Sequence, residues 1–232
     1  MSSADFFADN PYLISGLLDL VTVVLAWLIA GPQRRMVLLA GMVTLPFSPL
    51  AALFDHEYWS PTRLGGWRPG IEDTIYTFVL GARAWFFASI AFRGQYRAEG
   101  SAAQFVRRAI PVTAGAFAAY GGLVALGVGI FLPALLVPMA VTVWVLLRKP
   151  ELWPLSLCGA IGCIALYYAE LHLWFAIWPQ FSGWWTPDTP WSRSVLGVPL
   201  GDLGWTAVVG ATHPTVLAVL LGVRWHTKPA ST

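Results

Sequence analysis

Long apolar stretches recur along the chain, and they limit its fold more than any other feature of the sequence. A helix needs about 20 apolar residues to cross the hydrocarbon core of a bilayer. Only 11% of the 232 residues are charged, whereas about a quarter of a soluble domain is, so the chain has too little polar surface to cover itself in water. We expect an all-α, multi-pass protein of the cell (inner) membrane, with residues 1–232 forming one domain in the lipid bilayer.

Seven membrane-spanning helices fit these stretches. The expected spans are about 11–31, 36–54, 70–92, 109–126, 128–147, 153–178 and 200–223. With the N-terminus outside, the cytoplasmic segments hold Arg34, Arg35, Arg93, Arg97, Arg107, Arg108, Arg148, Lys149, Arg224 and Lys228. The outer segments hold only Arg63, Arg68 and Arg193. Because cytoplasmic loops carry an excess of positive charge, this distribution favours seven spans with the C-terminus in the cytoplasm.

An internal repeat is indicated when the chain is aligned with itself. A shift of 129 residues pairs "GIEDTIYTFVLGA" (70–82) with "PLGDLGWTAVVGA" (199–211), and Asp73 then matches Asp202. A shift of 130 instead matches Glu72 with Asp202, so the register is open by one residue. Spans 1–3 and 5–7 both begin outside, which predicts a parallel 3+1+3 plan: repeat 1 over about 11–92, a linking helix over about 109–126, and repeat 2 over about 128–223. Such repeats commonly share a site at their interface.

Acidic residues begin the third and seventh spans, each after a long outer loop rich in Trp, Pro and Gly. An acid in the first turn of a helix interacts favourably with the helix dipole, so Glu72, Asp73 and Asp202 have a simple capping interpretation. Two adjacent acids also oppose each other's ionisation, and a carboxylic acid that stays protonated can donate a proton. We therefore predict that the Glu72/Asp73 pair is catalytic, with Asp202 opposite it.

Other ionisable residues within the spans are costly there, so each needs a partner or a function. Arg83 lies eleven residues after Glu72, on nearly the same helix face, and Asp19 or Glu170 could pair with it. His213 follows Asp202 by the same interval and precedes Pro214, so it either supports a kink or takes part in catalysis. His172 is a candidate proton shuttle, with a hydrogen-bonded structural histidine as the alternative.

Aromatic side chains are abundant near these residues and could stabilise a cation through their ring faces, although most of them are expected to be packing or interfacial anchors. The predicted catalytic residues are Glu72, Asp73, Asp202 and His172. The predicted substrate-binding residues are Arg83, Tyr76, Trp85, Glu170, Trp174, Trp205 and His213.

Several classes of protein are excluded or disfavoured by what the sequence lacks. It has no GxGxxG motif, no P-loop and no pair of DDxxD-like clusters for Mg-diphosphate, so we expect neither a cofactor nor a metal. Its two lysines, Lys149 and Lys228, lie at the ends of spans, which excludes a retinal Schiff base. A net charge of +2 gives no reason to expect nucleic acid, and Cys158 and Cys163 are expected to be free thiols.

The two acidic segments resemble a known motif. "PGIEDTIYTFVLGA" and "VPLGDLGWTAVVGA" are similar to the duplicated Pro-x-Glu-Glu/Asp motif of the lycopene cyclase domain family, and "FDHEYWSPTRLGG" is similar to the segment before its first copy. These are small membrane carotenoid cyclases that occur as heterodimers or fused repeats. Glu72 and Asp73 match the acidic pair of the first copy, where Gly70 replaces the proline. In the second copy Pro199 is kept and Asp202 matches the second acid, but Gly201 replaces the first.

The resemblance implies a seven-span isoprenoid or carotenoid cyclase, an isomerase of the intramolecular lyase type. It would cyclise a long hydrophobic isoprenoid by protonating a polyene end, through a carbocation and without net redox change. The alternatives are a membrane terpene cyclase for a prenylated or linear terpenoid, a protein that binds an isoprenoid or pigment without converting it, and a proton-coupled transporter. The oligomeric state is open, a homo-oligomer included.

Overall fold

The computed structural model describes residues 3–55, 57–90, 96–186 and 189–225; Arg93 and Lys228 of the charge pattern lie outside these ranges. Helices make up 79% of the structure, which confirms the helical class. The α-helices are α1 (Ser3–Asp9), α2 (Pro11–Ile29), α3 (Arg34–Thr44), α4 (Ile71–Ile90), α5 (Ala102–Ala125), α6 (Phe131–Arg148), α7 (Trp153–Ile177) and α8 (Leu200–Leu220). The 3₁₀ segments are Gly31–Gln33, Leu45–Phe54, Leu64–Gly66, Pro150–Leu152 and Pro179–Trp184.

Two small antiparallel pairs of strands complete the described fold. The strands are β1 (Tyr96–Ala98), β2 (Ser194–Val195), β3 (Val198–Pro199) and β4 (Val223–Trp225). Strand β1 pairs with β4, so the segment after α4 is fastened to the segment after α8. Strand β2 pairs with β3 immediately before α8, and this hairpin delivers the chain into that helix.

Five stretches of the described chain are long and apolar enough to cross a membrane by length and composition. They are Pro11–Ile29, Gly31–Phe54, Phe131–Arg148, Pro150–Ile177 and Leu200–Leu220. Helices α4 and α5 have 20 and 24 residues but are not among these five, and α4 contains Glu72, Asp73 and Arg83. The membrane class is therefore supported, while the count of seven spans stays a prediction.

The ends of the predicted spans shift where local chemistry decides them. The second span ends as a 3₁₀ segment after Thr44, in a sequence where Pro46 and Pro49 remove two backbone donors. Helix α5 begins at Ala102, seven residues before the predicted start, because Ser101 and Gln104 form a reciprocal capping box.

Helices α4 and α8 pack against each other at the centre of the bundle. Helix α4 also contacts α2, α3 and α7, while α8 also contacts α6 and α7. Glycines permit the closest of these contacts: a Cβ on Gly81 would lie 2.6 Å from the Thr44 side chain in α3, and a Cβ on Gly210 would lie 2.5 Å from the Gly159 carbonyl oxygen in α7. Larger residues at either position would force the helices apart.

The loops before α4 and α8 are joined to each other. The Ser60 N–H donates to the Trp184 carbonyl at 2.8 Å, and the Thr186 N–H donates to the Tyr58 carbonyl at 2.8 Å. These bonds place the aromatic residues of both loops over one end of the bundle. A cluster of buried aromatic residues fills that end: Tyr58, Phe131, Trp174, Trp178, Phe181 and Trp185.

Candidate active site

A large apolar cavity of about 680 Å³ lies among the helices, with walls from α2, α3, α4, α5, α6, α7 and α8 and from both loops. Its volume is within the range of small-molecule binding sites. The polar or ionisable residues on its wall include Tyr12, Asp19, Tyr58, Tyr76, Tyr120, Tyr167, Glu170, Asp202, Thr212 and His213. The cavity is therefore mostly apolar, with a few polar side chains on its wall.

Asp202 is the acid of this wall without a cationic partner among the described residues. It lies in the first turn of α8 and is 7% exposed. Its Oδ1 accepts a hydrogen bond from the Tyr167 hydroxyl at 3.3 Å, while its buried Oδ2 has no partner in hydrogen-bond geometry. Burial without a cation penalises the ionised form of this carboxyl, because an uncompensated charge is costly away from water.

Tyr58 and Trp185 bring two more donors from the loops towards the Asp202 carboxyl. Neither the Tyr58 hydroxyl nor the Trp185 indole N–H reaches hydrogen-bond geometry with a described residue. Burial, and after it the neighbouring Asp202 carboxyl, raises the pKa of Tyr58, so its hydroxyl keeps its proton and remains a donor. Asp202 thus lies among three hydroxyl or indole donors.

Gly201 lies at a position with no room for a side chain. A Cβ at this position would lie 2.6 Å from the Tyr58 hydroxyl and 2.7 Å from its ring. Tyr58 therefore occupies the space that a glutamate side chain would need. Gly70 is similarly constrained, because a Cβ there would collide with the Glu72 carboxylate.

Glu72 and Asp73 do not belong to the cavity wall. Asp73 accepts a hydrogen bond from Arg63 Nε at 2.7 Å, and it also accepts hydrogen bonds from the Tyr12 hydroxyl and the Gly70 N–H. Glu72 Oε1 accepts a hydrogen bond from the Leu64 N–H. The two acids that the sequence predicted as the proton donor thus fasten the loop over residues 55–69 to the start of α4.

Arg63 is at the centre of the contacts that hold this loop, and it was not among the residues predicted from the sequence. Its guanidinium also lies 2.9 Å from Asp55, which pairs in addition with the half-exposed Arg68 at 3.3 Å. Burial opposes the charge on Arg63, but the bonds to Asp73 and Asp55 outweigh it and raise the pKa of Arg63 above its ordinary value. The available indication was an arginine in a long loop with one acid eight residues before it and another ten residues after it.

Arg83 is held by both of the carboxylates that the sequence offered as partners, which confirms the predicted ion pair. Its guanidinium lies 2.6 Å from Glu170 and 3.0 Å from Asp19, and its Nε donates to the Thr22 hydroxyl at 2.8 Å. Asp19 and Glu170 reach the cavity wall, whereas Arg83 lies behind them.

The remaining predicted residues divide into two groups. Tyr76, Trp174, Trp205 and His213 line the cavity, and His213 Nε2 donates to the Ala40 carbonyl at 3.1 Å. His172 is exposed, lies outside the cavity and is bonded through Nδ1 to the Tyr168 carbonyl at 2.9 Å. Trp85 is 1% exposed within the helical core and does not line the cavity. Cys158 and Cys163 are free thiols, as expected, and no cluster of potential metal ligands occurs in the described ranges.

No family model, curated protein or solved structure matches the chain.

Proposed function

We propose that the chain is an integral membrane isoprenoid cyclase, of the lycopene cyclase type suggested by its two motifs. The observation that carries this proposal is Asp202, a buried acid with no cation beside it, on the wall of a large apolar cavity. An apolar chamber suits a hydrocarbon chain, and a neutral carboxyl suits proton donation to an alkene. The proton donor is then Asp202 rather than Glu72 or Asp73.

The proposed reaction begins when Asp202 transfers its proton to a terminal double bond of the isoprenoid. A tertiary carbocation forms, the chain closes a ring on it, and loss of a proton elsewhere regenerates a double bond without net redox change. Positioned acids and bases are each typically worth about 10²–10⁴-fold in rate. The apolar walls keep water scarce, so hydration of the cation is slower than its loss of a proton to a base.

Aromatic rings beside Asp202 support the carbocation step. Phe54 lies 6.0 Å from Trp205 and 6.1 Å from Phe131, and Phe131 lies 4.2 Å from Tyr58, measured between ring centroids. All four rings contribute to the cavity wall. Ring faces attract cations within about 6 Å, more strongly where water is excluded.

The same proposal includes seven spans and a parallel repeat. Gly81 and Gly210, which correspond in the 129-residue register, both sit at the closest approach of consecutive helices, α3 with α4 and α7 with α8. The charges of Asp73 and Arg83 in α4 are compensated by buried partners, which would help this helix to cross the bilayer along with α5 and the five apolar stretches. An N-terminus outside and a cytoplasmic C-terminus then follow from the charge distribution.

In the deciding experiment, the chain is reconstituted in proteoliposomes and given two probes, lycopene and geranylgeranyl hydroquinone. The products are identified by mass and absorption. We expect an isomer of unchanged mass from at least one probe, and a loss of about 10²–10⁴-fold for Asp202→Asn. Glu151→Gln, an exposed acid at the start of α7, is the control and should keep wild-type rates. Recovery of both probes unchanged would contradict a cyclase, and binding without conversion would point to a carrier.

A further inference from the structure

A second carboxyl centre lies on the wall of the same cavity as Asp202. It consists of Asp19 from α2 and Glu170 from α7, which are 5% and 7% exposed. Arg83 from α4 holds both carboxylates from behind through one guanidinium. Three helices therefore cooperate to present two acidic side chains to an otherwise apolar chamber.

The charges of this centre suit it to accept a proton. Two ionised carboxylates face one guanidinium, so the cluster carries one uncompensated negative charge when both are ionised. Uncompensated charge is expensive away from water, and one added proton removes it while Arg83 keeps an ionised partner. Asp202 has no such cation and is suited to the opposite task.

The two centres are neighbours along α7. Tyr167, whose hydroxyl donates to Asp202, precedes Glu170 by three residues, and residues at this spacing lie on the same helix face. Tyr76 from α4 lines the cavity beside them, and its hydroxyl interacts with that of Tyr167. One isoprenoid in the cavity can therefore contact both centres.

We propose that Asp19 and Glu170 form the base that ends the cyclisation, an inference that rests on the proposed function. After Asp202 has protonated the alkene and the ring carbon–carbon bond has formed, the cation is lost by breaking an adjacent C–H bond. Its electron pair becomes the new double bond, and its proton passes to a carboxylate oxygen of Glu170 or Asp19. The product is an isomer of the substrate, so the balance needs no further reactant.

This assignment replaces His172, the proton shuttle predicted from the sequence. His172 is separated from the cavity, whereas Glu170 is two residues away and on its wall. The proton accepted by the centre must return to Asp202 before the next turnover. Tyr76 and Tyr167 offer hydroxyl groups on that side of the cavity, with Tyr167 already bonded to Asp202. Arg83 is a positioning residue, since it holds the carboxylates without lining the cavity.

The test compares the products of variants in proteoliposomes with lycopene and geranylgeranyl hydroquinone as probes. An enzyme without its base still forms the cation, which water can then capture. Asp19→Asn combined with Glu170→Gln removes both carboxylates of the base, so this double variant should lower the isomer by about 10²–10⁴-fold and yield a product heavier by one water. Asp202→Asn should yield neither product. Glu151→Gln is the matched control for the amide substitution.

Folding is controlled by a triple variant, Asp19→Asn, Glu170→Gln and Arg83→Met, which removes the cation together with both of its partners. It should give the same hydrated product as the double variant. Wild-type amounts of isomer from both folded variants would overturn the base assignment while leaving the cyclase proposal intact. If the unchanged chain converts neither probe, the cyclase proposal fails, and this inference fails with it.

Discussion

Arg63 Nε lies 2.7 Å from Asp73 Oδ2, and this buried ion pair joins a long loop to the first turn of the helix that follows it. Because Tyr58 is in the same loop and approaches Asp202, the pair also fixes one edge of the cavity. Asp73 therefore affects the candidate active site through the loop that it holds.

We expect Arg63→Ala to destabilise the protein by about 3–5 kcal/mol, because it leaves buried Asp73 and Asp55 without their main cation. Arg68→Ala is the control, since its pair with Asp55 is half-exposed and such pairs are worth about 1 kcal/mol or less. Unfolding in detergent measures the difference. Equal stability of the two variants would contradict the anchoring role of Arg63.

Substitution of Gly201 tests whether Tyr58 leaves room for a side chain at this position. Gly201→Ala should cost about 1–3 kcal/mol through overpacking against Tyr58. Gly204→Ala in the same helix meets its nearest neighbour at 3.7 Å and should be neutral or stabilising, because alanine favours helix. Gly201→Glu, which places an acid beside Asp202, should lower the proposed activity as well as stability, because Tyr58 occupies the space. A gain of cyclase activity would refute this explanation.

The two corresponding glycines should respond alike. Gly81→Ala and Gly210→Ala each place a methyl group against a neighbouring helix, and each should lower stability by about 1–3 kcal/mol. Gly121→Ala on α5 has no heavy atom within 4 Å of the added group and serves as the control. Unfolding curves of the three variants measure the loss of stability. A loss for Gly81→Ala without a loss for Gly210→Ala would contradict equivalent roles for the two glycines.

Topology can be measured by labelling single cysteines in a background without Cys158 and Cys163. A membrane-impermeant maleimide added to intact cells should label Ser182→Cys in the outer loop but not Glu151→Cys, although both positions are exposed. Opening the cells should make Glu151→Cys reactive. The reverse pattern would invert the proposed orientation, and labelling of both from outside would contradict the single span predicted between the two positions.

Local patterns predicted the helices well but not the wall of the cavity. Apolar length placed α2, α6, α7 and α8 to within a few residues, since hydrophobic runs and glycine or proline breaks act over short distances. The pairing of Arg83 was predictable because a buried cation must find an acid. Tyr58 and Trp185 were missed as neighbours of Asp202, because their position depends on two loops that are joined only in the folded chain.

The roles of the two acidic motifs depended on the same long-range contacts. Glu72, Asp73 and Asp202 all lie in the first turn of a helix that follows an aromatic loop. Their local sequence therefore does not distinguish their roles. In the structure a loop arginine reaches Asp73, whereas a tyrosine and a tryptophan approach Asp202. The difference between an anchored carboxylate and an acid facing a cavity is therefore made by loop residues outside both motifs.

Helix α5 forms one wall of the cavity although none of its residues is buried. Its Phe117 ring stacks on the Phe47 ring, with 6.2 Å between the ring centroids. If the substrate is an isoprenoid, as proposed, one that entered past this wall would never leave the hydrocarbon phase. Its effective concentration would then be its mole fraction in the surrounding lipid. Diluting a fixed amount of protein and substrate with inert lipid should slow turnover, whereas diluting the same vesicles with buffer should not.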